Sequence, residues 1–476
     1  MLEISFDGKT YQVEEGQTIL EAAIKCGVDI PYFCYHPCLS RPGNCRICIV
    51  KVEGWNDLAP ACINPVLQGM KVETQSEQVK EARKSLMQFI TLNHPVDCGI
   101  CDKSGECLLQ DHHFSHNGQK SLSLDVKNHQ TKFYEINDRI LLDNERCINC
   151  SRCVRFTQEI SKTNALGIVK RGDHALVRRI DEDKPYIDPY SDNIIDICPV
   201  GALLSRKFLY KDRVWFLKKT RSVCPGCDRG CNINIWTRKD EWKLHSLEHK
   251  NDQIARVTPF TNPEVNGHWI CNKARDLAEH FERPRILKPI YNGRDVSLAV
   301  AIQEIKELLK CSKRTAMAIS SWGSNEELEA LKSILPSLGQ IETFVKDDSL
   351  PAAHEVSEDQ ILIRRNKNPN RTKAFELFGT KDFPRGENFD LVIVWGEGFN
   401  HHLLEHDTKV VQLTSYRDII TERSLVVIPI STMLERDGHF TNGLGVSSPF
   451  NKIFEPASDI LHATNFFNML SLGEKK

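Results

Sequence analysis

The chain has 476 residues, with 62 lysines and arginines against 64 aspartates and glutamates; a net charge of -2 gives no electrostatic reason to expect nucleic acid or an anionic membrane surface as partner. Hydrophobic residues at 40% and charged residues at 26% fit a soluble globular protein of three or four domains, and eighteen cysteines with no export signal argue for metal ligation over disulfides. The start, MLEISFDGKTYQVEEGQ, lacks the basic head and apolar run of a signal peptide, and no apolar run reaches the roughly 18 residues of a membrane helix, so work at a membrane would need other subunits to hold the chain there.

The first 80 residues open with a hairpin: EISF, a turn at Asp7 and Gly8, then YQVEE. Thr18 and Glu21 form a capping box that starts a short helix, and Gly27 stands where its stop belongs. A strand pair, a helix and a cysteine-bearing loop is the order of a 2Fe–2S ferredoxin-like domain. The loop reads FCYHPCLSRPGNCRICIV and then ACINPV, so Cys34, Cys45, Cys48 and Cys62 form C-x10-C-x2-C-x13-C. Gly43 and Asn44 let the backbone turn tightly, and Cys38 rivals Cys34 as ligand. Zinc is the competing metal, but these gaps are unlike zinc-ribbon spacing.

Ser76 next caps a helix whose Val79, Ala82, Leu86, Phe89 and Ile90 recur at helical spacing, ending near Asn93. That helix delivers His94 into LNHPVDCGICDKSGECLLQD, where His94, Cys98, Cys101 and Cys107 form H-x3-C-x2-C-x5-C. The bland reading of His94 is a helix-end histidine on the dipole. Its place before a set otherwise one ligand short points to ligation, and an imidazole in place of a thiolate makes a centre less negative.

Residues 140–215 carry ERCINCSRCVRF and a remote CPVGA, with Cys147, Cys150, Cys153 and Cys198 in the ferredoxin pattern of a proline after the fourth cysteine. No other triplet needs Cys198, so all four go to one 4Fe–4S centre. Residues 216–275 hold Cys224, Cys227, Cys231 and Cys271 in C-x2-C-x3-C-x39-C, where zinc competes with 4Fe–4S. Close thiolates on short loops, closed by one distant ligand, are how chains hold iron–sulfur clusters, and several such centres serve to move electrons. Cys26 and Cys311 fall at helix ends and read as small buried hydrophobes.

After Cys271 the texture changes. Segment 282–295, ERPRILKPIYNGRD, reads as a linker. Helices over 297–310 and 325–334 then alternate with apolar strands over 316–320, 390–395, 410–413 and 425–430, the pattern of a βαβ parallel sheet. There is no G-x-G-x-x-G after a strand and no P-loop, so no nucleotide site is evident. The expected fold class is α+β multidomain: a 2Fe–2S ferredoxin-like (β-grasp) domain at 1–80, a 4Fe–4S domain with one histidine and three cysteine ligands at 81–120, a 4Fe–4S ferredoxin-like domain at 121–215, a further 4Fe–4S domain at 216–282, and an α/β domain at 283–476.

Taken together, YHP, GNCRICIV, LNHPVDCGICDKSGEC, RCINCSRCVRF and IIDICPVGAL resemble the family of large iron–sulfur subunits of respiratory complex I, the NADH–quinone oxidoreductase, over roughly residues 1–275. The resemblance implies one 2Fe–2S and two 4Fe–4S clusters on the first three sets, one of them held through His94. A third 4Fe–4S cluster on Cys224, Cys227, Cys231 and Cys271 is present only in some members, and the x39 gap is long for that motif. It implies no catalytic site in the usual sense, an electron relay from a flavin-bearing NADH-oxidising partner toward quinone, other peripheral-arm subunits as partners, and proton translocation by the whole complex. The implied location is peripheral, on the cytoplasmic side of the inner membrane, through partner subunits alone. The tail is similar to a shortened molybdopterin-oxidoreductase domain, through SNEELEALKSIL and LVVIPISTMLERDGHFTNGLG. It has Leu444, Gly445 and Val446 where that family closes on Glu-Gly-Arg, so no molybdopterin is expected. The alternative is a relay subunit of an NAD-linked hydrogenase or formate dehydrogenase.

Overall fold

A computed structural model describes residues 1–243, 254–349 and 356–471, and the chain divides into two compact units, Met1–Leu217 and Lys218–Lys476. No described helix is long and apolar enough to cross a membrane.

The first unit begins with the expected hairpin, β1 (Leu2–Phe6) and β2 (Lys9–Val13), turned by Asp7 and Gly8 at φ of 49° and 82°. It joins β3 (Ile49–Val52), β4 (Ala59–Pro60) and β5 (Met70–Glu73) in a sheet of order β2-β1-β5-β3-β4, with β1 and β5 parallel. Helix α1 (Ile19–Lys25) starts at the capping box, where the Thr18 hydroxyl accepts from the Glu21 amide and the Glu21 carboxylate accepts from the Thr18 amide. Its next two amides are satisfied outside the helix: Ile19 donates to Asn64 O and Leu20 to Ala61 O, both 2.9 Å. Those acceptors flank Cys62, so the helix cap also fixes a cysteine loop. Ile19, Leu20, Ala22 and Ala23 bury against Ile4, Phe6, Val50 and Val72; a fully buried Leu or Ile contributes about 1.5–3 kcal/mol.

Helix α2 (Glu77–Thr91) forms where expected, but its buried face is Val79, Arg83 and Met87, while Phe89 is 73% exposed. Of the expected face Val79 is buried, Ala82, Leu86 and Ile90 are half-buried and Phe89 is exposed; Arg83 goes inside because it finds carbonyl acceptors there, Thr74 O at 3.1 Å and Ile49 O at 2.8 Å. The rest of the unit comprises α3 (Leu108–His116), an antiparallel sheet of β6 (Tyr134–Glu135), β7 (Ile140–Leu142) and β10 (Leu203–Ser205), α4 (Arg152–Glu159), a hairpin of β8 (Leu166–Val169) and β9 (Leu176–Arg179), and α5 (Asn193–Ile197).

The second unit carries an antiparallel sheet of β11 (Leu217–Val223), β12 (Asn232–Arg238) and β13 (Arg256–Pro259), and a seven-stranded sheet. In the larger sheet β16 (Thr315–Ser320), β17 (Ile341–Lys346), β18 (Leu391–Trp395), β19 (Lys409–Thr414) and β20 (Val426–Pro429) are parallel; the alternating pattern predicted all of these but β17. Helices Leu298–Cys311 and Asn325–Ile334 cover it, capped by Ser297 and Ser324. The segment expected as a linker is instead the sheet edge. There β14 (Ile290–Tyr291) pairs antiparallel with β20 and with β15 (Arg294–Asp295), and Arg285 forms a two-pronged ion pair with Glu435. A proline- and glycine-rich stretch can be an edge strand when its free amides face outward. Cys311, expected to be buried, is exposed, and Cys26 is half-buried.

Candidate metal centres

The first set gathers in unit 1. Cys34, Cys48 and Cys62 are buried and Cys45 half-buried, on a loop bent by Gly43 and Arg46 in the left-handed region (φ 61° and 60°). Ala61 donates to Cys48 O at 3.0 Å and so clamps the two halves of the set together. The thiols lie within hydrogen-bonding reach of one another. Cys45 and Cys62 favour the thiolate of Cys34 and hold its pKa far down, and Cys62 lowers that of Cys48, while Cys45 and Cys62 are pushed up in return. Cys38 is exposed and takes no part in this exchange.

In the second set, His94 follows the end of α2 and donates its amide to Thr91 O at 3.1 Å. Burial, with Lys127 and Arg146 nearby, pushes its pKa down to about 4, so the ring is neutral at physiological pH, and its Nδ1 is buried without a hydrogen-bond partner. A neutral imidazole with an orphaned nitrogen is what a metal ligand requires. Cys101 is buried, Cys107 caps α3, and Cys98 is exposed on a short turn. Burial pushes Cys107 up to about 11 and raises Cys101, which is partly offset by Arg146. Arg146 is thus the neighbour that His94 and Cys101 share. It is fixed by Asp97 (2.9 Å) and Asp143 (3.2 Å), and Lys132 bonds Asp97 and Glu145 beside it. Arg213 donates to Cys101 O at 2.6 Å and to Gly99 O.

The third set lines one cavity: Cys147, Cys150, Cys153 and Cys198, with Leu142 and Val177 among its apolar walls. Asn149 and Ser151 sit in the left-handed region (φ 51° and 60°), coiling the backbone between the cysteines so that the Asn149 amide points at Cys147 Sγ, 3.4 Å away. Burial raises the pKa of Cys147, Cys150 and Cys153, and neighbouring thiolates of the set push each of them further up. Thiols that burial keeps from ionising alone become stable thiolates when a cationic metal core shares the cavity, so the donor set fits a cluster.

The fourth set lies in unit 2. Cys224, Cys227 and Cys231 occupy the turn between β11 and β12, closed by Cys224 N to Cys231 O at 2.8 Å, and Cys271 caps the short helix Asn272–Arg275. Gly226 N donates to Cys224 Sγ at 3.4 Å, and burial raises Cys224 and Cys231 strongly and Cys271 to about 11.

The sets in unit 1 are wired together by groups that the motifs did not flag. The Leu108 amide, next to Cys107, donates to Pro199 O, next to Cys198, at 3.0 Å. Gly201 is packed so closely that a methyl there would lie 2.1 Å from Cys101 Sγ. Arg152 donates to Tyr35 O (2.6 Å) and Ile197 O (2.9 Å), and Asn44 donates to Asn149 O at 3.3 Å. Arginine beside cysteine was the available signal, but arginine is rarely buried, so sequence alone gives no reason to place it inside.

In unit 2 the chain order of the parallel strands reverses between β16 and β18, where open α/β sheets usually bind ligands. Here that crevice is filled. Asp348 accepts from Ser320 Oγ (3.0 Å), Ser321 N (2.9 Å) and Glu397 N (3.2 Å), and pairs with Lys346 at 2.9 Å. A methyl on Gly396 would lie 1.9 Å from its carboxylate. These residues do not fit a pterin at that crevice.

An iron–sulfur protein is the class this fold and these cysteine loops define. Residues 1–77 match the 2Fe-2S iron-sulfur cluster binding domain, 83–121 the NADH-ubiquinone oxidoreductase-G iron-sulfur binding region, 137–204 the ferredoxin-like domain of NADH-quinone oxidoreductase subunit 3, and 217–283 the molybdopterin oxidoreductase Fe4S4 domain. The mitochondrial NADH dehydrogenase [ubiquinone] iron-sulfur protein 1 of Solanum tuberosum is 33% identical over 81% of this chain and 51% of its own length. The G subunit of the NADH-quinone oxidoreductase of Rickettsia typhi is 35% identical over 71% of this chain and 49% of its own. A crystal structure of an NAD+-reducing [NiFe]-hydrogenase is similar at 29% identity and a TM-score of 0.41, over 45% of this chain and 91% of that one. The chain belongs to the family of the iron–sulfur G subunits of NADH-quinone oxidoreductase, and it spans about half the length of the curated relatives it matches.

Proposed function

We propose that this chain is an electron-relay subunit of an NADH–quinone oxidoreductase. It would take electrons from a flavin-bearing NADH-oxidising subunit and pass them toward quinone, within a complex that couples the flow to proton translocation. In this reading Cys34, Cys45, Cys48 and Cys62 hold a 2Fe–2S cluster. His94, Cys98, Cys101 and Cys107 hold a 4Fe–4S cluster, as do Cys147, Cys150, Cys153 and Cys198, and Cys224, Cys227, Cys231 and Cys271 hold a third. A bound cluster supplies reversible one-electron chemistry without breaking covalent bonds. The protein's own part is to fix the ligands, keep water from the thiolates and keep the loops in contact.

The observation that carries the reading is the four-thiol cavity of the third set together with its links to the other two. The Leu108–Pro199 hydrogen bond joins it to the second set, and Arg152 and Asn44 join it to the first. The order is therefore first, third, second, with the His94 centre at the far end. Cys98 is exposed there, where a next acceptor in a partner subunit would approach. The chain has no complete catalytic site of its own, takes no molybdopterin, and sits peripherally on the cytoplasmic side of the membrane through partner subunits. The five-part division at 80, 120, 215 and 282 belongs to the same proposal. Iron and zinc analysis of anaerobically purified full-length chain, with electron paramagnetic resonance after reduction, tests it: about fourteen irons are expected. About two irons or fewer, with stoichiometric zinc, overturns the relay reading.

A further inference from the structure

Helix α4 carries two arginines that ordinary packing does not explain. Arg152 and Arg155 are 5% and 6% exposed, and neither forms an ion pair with a described carboxylate. The nearest acidic group to act on Arg155, Glu159, is committed to the Ser40 amide (2.7 Å) and hydroxyl (2.5 Å). A buried cation with no carboxylate hydrogen-bonded to it is costly, so its surroundings must supply further negative charge.

The hydrogen bonds show where that charge sits. Arg155 Nη2 donates to the carbonyl of Cys34, from the first set, and lies 3.5 Å from the carbonyl of Cys150, from the third. Its Nη1 donates to Ser40 O, and its Nε to Ser151 Oγ at 3.2 Å. Ser151, in the left-handed region before α4, starts the helix so that positions 152 and 155 share a face (i, i+3).

We propose that Arg155 is a shared counter-charge of the first and third centres, a positioning residue that raises the reduction potential of both and keeps them matched. This rests on the ligand assignment above. A cluster with four thiolates is anionic before and after reduction, and the added electron makes it more so. A fixed positive charge against the backbone carbonyl of one ligand residue of each centre therefore favours the reduced state of both. It also draws the Cys34 and Cys150 loops to one point, so the two centres are tuned by the same atom group.

Arg155→Gln removes the charge and Arg155→Lys keeps it with fewer donors. In the full-length holoprotein, redox titration followed by electron paramagnetic resonance reads each centre separately. Arg155→Gln is expected to lower both potentials by a tenfold or larger change in reduction equilibrium, 59 mV for one electron, and to leave the second and fourth centres in place. Arg155→Lys is expected to keep both near wild type. Unchanged potentials in Arg155→Gln overturn the proposal, and a fall at one centre alone overturns the sharing. If Arg155→Gln loses its clusters, Arg155→Lys decides: lowered potentials there refute a charge effect. Iron content and the presence of both signals in the wild type test the ligand assignment independently.

Discussion

Gly201→Ala should damage a centre to which residue 201 does not belong by sequence. Gly201 lies three residues after Cys198, yet an added methyl would sit 2.1 Å from Cys101 Sγ of the second set and 3.2 Å from Lys103 Cβ. Ordinary contact needs roughly 3.5–4 Å, so the sulfur must retreat by more than about 1 Å. A free thiol can do this by rotating, for an overpacking cost of about 1–3 kcal/mol. A sulfur bonded to iron cannot, because ligand distances tolerate only about 0.2 Å. Gly226→Ala is the matched control: its methyl would meet Cys224 Sγ at 3.4 Å, an ordinary contact, and the Gly226 amide that bonds the sulfur is retained. Iron analysis and electron paramagnetic resonance of the two variants should therefore differ. Gly201→Ala should weaken or lose the second-centre signal and keep the first, while Gly226→Ala keeps all. A full complement of unperturbed signals in Gly201→Ala would refute the close packing of the second cysteine loop against the third.

Three further outcomes follow from the same geometry. His94→Ala should leave the second centre labile, and His94→Cys should retain it at a lower potential because a thiolate adds negative charge; full iron and an unchanged spectrum in His94→Ala would reduce His94 to a helix-end residue. Iron chelation should open segment 93–107, where Val96 is 91% exposed and Ile100 and Cys98 face solvent, while the sheet around Ile4, Phe6 and Val72 stays protected, as hydrogen exchange would show. His280 stacks near Trp322 and Tyr416, and burial, aided by Arg283 and Lys273, holds its pKa down to about 4. Its neutral form is favoured in the fold, so stability is complete above about pH 6.5 and falls by up to roughly 3 kcal/mol toward pH 4. Urea unfolding of wild type and His280→Phe at pH 7.5 and 5 should show the variant losing less, and equal losses would contradict it.

What the sequence made legible was local. The Asp7–Gly8 turn, the box at Thr18, and the helix Asn325–Ile334 depend on residues a few positions apart, so the pattern specifies them. The parallel strands were readable from near-continuous apolar runs such as LVIVW, buried along its whole length. What failed depended on distant partners. Arg83 is inside because Ile49 and Thr74 offer carbonyls, and residues 290–295 are a sheet edge because β20 lies there to receive them. The cysteine quartets were visible as spacings, but the links between them were not. Leu108 meets Pro199, and Arg155 meets Cys34, across separations that no motif encodes.

The two units bear unequally on function. In the first, four arginines reach inward to cysteine loops: Arg83, Arg152, Arg155 and Arg213 all spend donors on carbonyls within or beside one. In the second, the place where an α/β sheet would receive a ligand is closed by its own Asp348, tied to two strands' ends and to Lys346. Opening that crevice would strand a buried ion pair, and breaking one partner of such a pair costs about 3–5 kcal/mol. A sheet that invests buried charge in sealing its binding edge is organised to be a support. The cysteine quartets all lie before residue 272, and the buried charge of the seven-stranded sheet is spent on holding its own strand ends together.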